Sequence, residues 1–272
     1  MTLQKRKVFA ALLVLILAVA GCVGKPAQQS APEAKPAEQQ QAQPQQQKVV
    51  ASTSWTALMA KAAGADNVVV LAPAELKHPP EYDFRPSDVA ELKGAKLIIW
   101  GGYEPFMRKL LEITQTPDDR IIRVLTVNTP DNLKEQTRLL AAKLGTTEKQ
   151  KSWEVEFERV VSAIKEAATK QNVPEKRVLV HKHLADFVKW LGYQVVGEFG
   201  PEELSPAKMT ELAGLKPDLI IDNFHNPQGR GLADITKAPR VELRNFPGPE
   251  HKSLQELLLD NARKLELIMA SR

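Results

Sequence analysis

From residue 48 onward, short apolar runs alternate with longer stretches in which apolar residues recur at helical spacing. The runs predict strands at 49–52, 67–71, 96–100, 121–127, 178–180, 195–199, 219–221 and 241–243. The periodic stretches predict helices at 56–63, 87–93, 105–113, 129–144, 147–170, 184–191, 207–215 and 253–269. Strands that alternate with helices are typical of parallel sheets, so the pattern predicts an α/β fold.

One long helix interrupts this alternation. Residues 147–150 have the form of a capping box, and no Gly or Pro follows before Lys170. At about 1.5 Å per residue, this helix would be roughly 35 Å long, which is about the length of a small lobe. We therefore expect an N-terminal lobe at 48–145, a rigid linking helix at 146–173 and a C-terminal lobe at 174–272, with a ligand cleft between the lobes.

The N-terminus has the pattern of an export signal. A basic segment at 5–7 precedes an apolar run at 8–20, which is shorter than the roughly 20 residues that span a bilayer. Small residues then lead to Cys22, which predicts a signal peptide at 1–21. Residues 22–47 are dominated by Gln, Ala, Pro and Lys and contain no aromatic residue, which predicts a disordered tether.

Charge and cysteine content exclude some classes of function and of site. The chain has 37 basic and 33 acidic residues, for a net charge of +4. Three of the basic residues lie in the signal, so little excess positive charge remains to favour a nucleic-acid partner. The single cysteine excludes intrachain disulfides and cysteine-based metal sites.

We expect the protein to be a monomer.

The five histidines are the candidate chemistry of this chain. His181 and His225 end or follow predicted strands, His78 lies between a strand and a helix, and His251 precedes the last helix. In open α/β sheets, ligands bind beyond the carboxyl ends of the strands, and neutral imidazole is a common metal ligand. One such histidine alone is more often a hydrogen-bonded polar residue, but the set favours a metal site. His183 stays ambiguous, because a helix is predicted to begin between it and His181.

Five motifs, in order, resemble a known family. They are His78 with Tyr82 and 85–89, followed by residues 101–106, 181–193 and 202–212, and then Asn261. This order resembles that of the zinc/manganese ABC-transporter substrate-binding lipoproteins, and the small residues before Cys22 resemble a bacterial lipobox.

The resemblance implies two lobes joined by a rigid helix, with a divalent metal bound between them and delivered to a membrane permease. It also implies an extracytoplasmic protein that is anchored to the bilayer by a lipid on Cys22. Its first and third ligand positions match His78 and His181, which we expect to be indispensable.

Two ligand positions depart from the family pattern. Residues 127–133 contain no histidine where the family has its second one, and Glu250-His251 stands where the family has a late Asp. His225 and His251 are the expected substitutes. We therefore predict that His78, His181, His225 and His251 bring their nitrogens within about 4–5 Å of one another, because Zn–N bonds are about 2.0–2.1 Å.

The predicted donors favour zinc over manganese. Imidazoles suit tetrahedral Zn²⁺, whereas Mn²⁺ prefers more oxygen donors. Carboxylates remain available in Glu81, Asp83, Asp222 and Glu250, so Mn²⁺ stays an alternative. Asp222 or Asp186 could accept a hydrogen bond from a ligating imidazole.

Two other functions compete with metal delivery. The same architecture can bind a corrinoid or an iron chelate, and the missing second histidine supports that alternative. A zinc hydrolase is the third hypothesis, but the chain has neither a His-Glu-x-x-His helix nor a Gly-x-Ser-x-Gly elbow. We therefore do not expect an enzyme.

Overall fold

The computed structural model describes residues 47–269. The predicted signal peptide, Cys22 and all of the predicted tether except Gln47 lie outside the described residues. Residues 47–269 belong to one compact unit. No helix within them has both the length and the hydropathy that are needed to cross a bilayer.

Two four-stranded parallel sheets form the framework. The first has the order β2-β1-β3-β4 and consists of β1 (Lys48–Ala51), β2 (Asn67–Val70), β3 (Leu97–Trp100) and β4 (Ile121–Arg123). The second has the order β6-β5-β7-β8 and consists of β5 (Arg177–His181), β6 (Gln194–Phe199), β7 (Leu219–Asn223) and β8 (Arg240–Leu243). Because β5 and β7 are parallel neighbours, the chain after His181 and the chain after Asn223 leave the sheet at the same edge.

Helices surround each sheet. The N-terminal lobe contains α1 (Ser54–Ala62), α2 (Pro86–Lys93), α3 (Pro105–Thr114) and α4 (Pro130–Leu144). The linking helix is α5 (Thr147–Lys170), and the C-terminal lobe contains α6 (Ala185–Leu191), α7 (Pro206–Ala213), α8 (Arg230–Thr236) and α9 (Leu254–Lys264). Proline occupies the first turn of α2, α3, α4 and α7, where its missing N–H costs nothing.

The predicted α/β fold with two parallel sheets is confirmed, but two element boundaries differ from the prediction and one helix was not predicted. β4 ends at Arg123 rather than at 127, because the Leu125 N–H donates to the Gln136 side chain instead of to a neighbouring strand. The last helix ends at Lys264, and Glu266 then adopts a positive φ of 57°. Helix α8 was not predicted, since it has only seven residues and includes Gly231.

Helix α5 connects the two lobes through one apolar face. Phe157, Val161, Ile164 and Ala168 are buried and recur at spacings of three and four residues. This helix packs against α1 and α4 of the N-terminal lobe and against α6 and α9 of the C-terminal lobe. The largest hydrophobic core therefore continues from one lobe into the other.

The segment after β8 also bridges the lobes. The Ser54 hydroxyl donates to the Pro247 carbonyl at 2.8 Å, and the Trp55 indole N–H donates to the Asn245 carbonyl. Asn261 of α9 holds the start of this segment, because its fully buried side chain accepts from the Arg244 N–H and donates to the Arg244 carbonyl, both at 2.9 Å. Asn261 thus positions a segment that both lobes contact.

Replacing this asparagine tests that role. Asn261→Ala removes both hydrogen bonds to Arg244 and leaves the peptide groups unpaired, so we expect a loss of about 1–3 kcal/mol in the free energy of unfolding. Urea denaturation measures the loss. Asn261→Asp loses the amide donor and places a buried carboxylate against the Arg244 carbonyl, so we expect a loss at least as large as in the alanine variant. A loss below about 0.5 kcal/mol in the alanine variant would contradict the assignment.

Candidate functional site

Loops of both lobes enclose a small cavity of about 140 Å³, here called the histidine pocket. The N-terminal lobe lines it with residues 77–81. The C-terminal lobe lines it with His183, Asn223, His225, Asn226, Asn245 and Phe246. The pocket lies beyond the carboxyl ends of β5, β7 and β8, which is where the parallel topology predicts a ligand.

The residues at the end of β7 hold His225 in place. Its backbone N–H donates to the Asn223 side-chain oxygen at 2.9 Å, and its ring packs edge-on against Phe246 at 5.6 Å between centroids. The residue is buried, and within residues 47–269 its Nδ1 has no hydrogen-bond partner. Burial, with a further contribution from Arg244, lowers the pKa of His225 to about 4. His225 is therefore a neutral imidazole at pH 7.

Asp222 fixes the loop that carries His225. Its fully buried carboxylate accepts from the backbone N–H groups of Asn223, Gln228 and Gly229 at 2.8, 3.1 and 2.7 Å. It also pairs with Arg240 at 2.6 Å. These partners occupy its oxygens, so Asp222 shapes the loop and is not free to bind a metal.

His183 lines the same pocket, although the sequence left its role open. It lies in a short turn, Lys182–Leu184, that separates β5 from α6. Partial shielding from solvent lowers the pKa of His183, and Lys182 adds to that effect. Its side chain thus also favours the neutral form.

His181 lies behind His183 instead of lining the pocket. Its ring is fully buried, and its Nδ1 accepts the His183 N–H at 3.2 Å. Its Nε2 is also buried, and within residues 47–269 it has no hydrogen-bond partner. Nε2 faces Gly200, where an added Cβ would lie only 2.4 Å away. Gly200 also has a φ of 70°, so only glycine fits this close approach.

His251 is also outside the residues that line the pocket. Its Nδ1 accepts the Gly248 N–H at 2.9 Å, and its Nε2 lies 3.5 Å from the Asp260 carboxylate on α9. These contacts close the turn before the last helix.

The structure therefore brings together two of the four predicted ligands, His78 and His225, and adds His183. His181 and His251 do not line this pocket, but each has a buried Nε2 without a hydrogen-bond partner among the described residues, so their role as ligands stays a prediction. Within residues 47–269, no group of three or more His, Cys, Asp or Glu side chains is arranged to hold a metal ion. Joint coordination would require the pocket histidines to approach one another.

A second cavity of about 280 Å³, here called the aromatic pocket, adjoins the first. It is lined by Trp55, Pro80, Tyr103, Thr126, Asn128, His183, Asn245 and Phe246, and four of these residues also line the histidine pocket. Asn128 is 6% exposed, and neither atom of its amide has a hydrogen-bond partner among the described residues. The sequence signal for Asn128 was its place in the segment 127–133, where the resemblance expects a histidine.

The two buried histidines predict an acid-sensitive fold in the metal-free protein. Burial lowers the pKa of both His181 and His225 to about 4, below the ordinary value near 6.5. Between those values the unfolded chain binds protons that the folded chain does not, so their stabilising contribution is present above pH 6.5 and is lost as the pH falls towards 4. We expect the free energy of unfolding to fall by about 1–2 kcal/mol per histidine between pH 7 and pH 5.

Urea denaturation at pH 7, 6 and 5 with a chelator present measures this fall. The matched variant His181→Gln removes one titrating ring, so its stability should depend less steeply on pH. An identical slope in the variant and the parent protein would contradict the assignment.

Comparisons with known proteins agree with this architecture. Residues 49–149 match the model of the family described as zinc-uptake complex component A, periplasmic. No curated protein is similar enough to the chain to count as a match.

Three solved structures share its fold at low sequence identity. AdcAII of Streptococcus pneumoniae is 16% identical with a TM-score of 0.63, covering 80% of this chain and 98% of its own. FpvC of Pseudomonas aeruginosa, solved with Mn²⁺, is 14% identical with a TM-score of 0.66, covering 80% and 97%. The laminin-binding protein Lmb of Streptococcus agalactiae, described as a bifunctional protein with adhesin and metal-transporting activity, is 18% identical with a TM-score of 0.62, covering 82% and 100%.

The resemblance to the zinc/manganese substrate-binding proteins is thus confirmed: residues 49–149 match the model of the zinc-uptake component A family, and most of the chain has the fold of these solved structures.

Proposed function

We propose that this protein is the extracytoplasmic substrate-binding component of a metal ABC importer. It binds a divalent cation, with zinc favoured over manganese, and delivers the cation to a membrane permease. The observation that carries the proposal is the histidine pocket, which is lined by His78 of one lobe and by His183 and His225 of the other. The family match over residues 49–149 supports the same function.

The donors of this pocket suit zinc. Burial keeps His225 neutral, and partial shielding does the same for His183, so both rings offer a lone pair at neutral pH. Glu81 is the one carboxylate among the described residues that line the pocket. Three imidazoles and one carboxylate make the roughly tetrahedral set that Zn²⁺ prefers. In this proposal, His183 and Glu81 take the places that the sequence assigned to His181 and His251.

Cation binding closes the cleft in this mechanism. His78 is exposed on a loop of the N-terminal lobe, whereas His225 is buried in the C-terminal lobe. Zn–N bonds of about 2.0–2.1 Å draw the two loops together, and opening releases the ion. The protein transfers its ligand unchanged, so it acts as a binding protein and not as an enzyme.

The anchor and the localisation belong to the same proposal. A lipid on Cys22 would hold the protein at the outer face of a bacterial membrane, and residues 23–47 would let a monomer reach the permease. A corrinoid fits less well, because cavities of about 140 and 280 Å³ are smaller than the ~300–1,000 Å³ of sites for drug-sized ligands.

Alanine variants of the histidines test the ligand set. His183→Ala and His225→Ala each remove a donor, so we expect zinc affinity to fall by more than the roughly 10–100-fold that follows loss of a supporting contact. Isothermal titration with Zn²⁺ measures the affinity. His251→Ala is the matched control and should bind zinc like the parent protein. The ligand set is wrong if His251→Ala loses affinity while His183→Ala keeps it.

Zinc should also stabilise the folded protein. A ligand that binds only the folded state adds RT ln(1 + [L]/Kd), which is about 4 kcal/mol at a thousandfold excess over Kd. Thermal denaturation at pH 7 with and without Zn²⁺ should therefore show a clear rise in Tm, and His225→Ala should show little rise. An unchanged Tm in the parent protein would argue strongly against metal binding.

A further inference from the structure

The aromatic pocket is larger than a metal ion needs. A zinc ion with its donors at about 2.0–2.1 Å is satisfied within the histidine pocket alone. The neighbouring cavity of about 280 Å³ is close to the lower end of the ~300–1,000 Å³ that small-molecule sites occupy. The two cavities share Pro80, His183, Asn245 and Phe246, so a molecule in the second cavity lies beside a cation in the first.

Polar groups in the aromatic pocket point to an organic ligand. Asn128, from the N-terminal lobe, is 6% exposed, and both atoms of its amide are unpartnered among residues 47–269. The side-chain amide of Asn245, from the other lobe, also lines this pocket. Leaving such groups unpaired costs about 1–3 kcal/mol each, which a ligand with matching hydrogen-bond groups would recover.

The lining also indicates the chemistry of that ligand. Trp55, Tyr103 and Phe246 offer aromatic surface, and among residues 47–269 no Lys, Arg, Asp or Glu lines this pocket. A planar, uncharged group fits such a surface, because aromatic rings pack well on one another and a charge would be buried without a partner.

From these observations we infer that the protein takes its cation together with a small organic chelator of amino-acid size. The chelator binds the metal on the side of the histidine pocket, and its uncharged planar body lies in the aromatic pocket against Asn128 and Asn245. This inference rests on the proposed function, because it names the form in which the cation is bound.

L-Histidine is a suitable probe for this site. Its amino, carboxylate and imidazole groups can all bind zinc, so no charged group of the ligand is left to lie in the aromatic pocket. The second ring N–H can still donate to an amide oxygen of the pocket, and the ring face can lie on an aromatic side chain. Citrate also chelates zinc but presents carboxylates and no planar ring, so it serves as the contrasting probe.

Equilibrium dialysis of the full chain, with Zn²⁺ and radiolabelled L-histidine, tests the inference. We expect one histidine to be retained per bound zinc, little histidine without zinc, and no citrate with zinc. Asn128→Leu should weaken retention of histidine about tenfold or more while leaving the affinity for zinc alone unchanged. Tyr103 lines the aromatic pocket but not the histidine pocket. Tyr103→Ala should therefore also weaken retention of histidine without changing the affinity for zinc, and it replaces Asn128→Leu if that variant does not fold.

The possible outcomes separate this inference from the proposed function. Zinc retained without histidine, with the chelator merely competing for the ion, overturns the inference and leaves the proposed function intact. Citrate retained as well as histidine overturns the proposed chemical class. Binding of neither zinc nor the zinc–histidine complex removes the proposed function itself.

Discussion

The continuous apolar core around α5 is the constraint on which the rest of the structure depends. Phe157 and Ile164 are fully buried two turns apart on this helix, and the helix packs against helices of both lobes. A helix of this kind bends little, so the lobes can rotate about it but cannot separate without exposing the core. The cleft loops are therefore held at close range while keeping some freedom to open and close. A site that is divided between the lobes thus depends on this helix, together with the segment after β8, to hold the lobes together.

Burial of neutral polar groups sets the chemistry of the cleft. His181 and His225 are both shielded from water, and the resulting fall in their pKa values keeps them uncharged. The two rings nevertheless have different surroundings. The His181 Nδ1 accepts the His183 N–H, and its Nε2 lies close to Gly200. His225 has an unpartnered Nδ1 beside the pocket. The His181 Nε2 is likewise buried and without a hydrogen-bond partner among residues 47–269, and its ring lies 5.1 Å from the His183 ring between centroids. The two rings therefore differ in whether they line the pocket, and each keeps one nitrogen without a partner in the described chain.

Much of this could be predicted from the sequence, and the misses have physical causes. The periods of hydrophobicity predicted both sheets and the linking helix, because each element buries one face. The strand ends predicted the edge at which His225 lies. Periodicity does not reveal which nitrogen of a histidine accepts a backbone hydrogen bond, so His181 and His183 could not be distinguished. The sequence could not show that the Gly248 N–H donates to the His251 Nδ1, and the ligand role of His251 stays a prediction. Asn128 was indicated only by its place in the segment 127–133, since an amide without partners among the described residues is visible only in three dimensions.

The two lobes contribute unequally to the site, and this asymmetry bears on how it closes. The C-terminal lobe supplies His225 from a loop that Asp222 already fixes through three backbone N–H groups. The N-terminal lobe supplies His78 from an exposed position, but Pro79 and Pro80 follow it directly. Prolines restrict the backbone before any ligand arrives, so ordering this loop on closure costs less conformational entropy than an ordinary loop would. The C-terminal lobe thus offers a half-site that is already ordered. The movement that completes the site falls on the short, stiff loop that carries His78 in the N-terminal lobe.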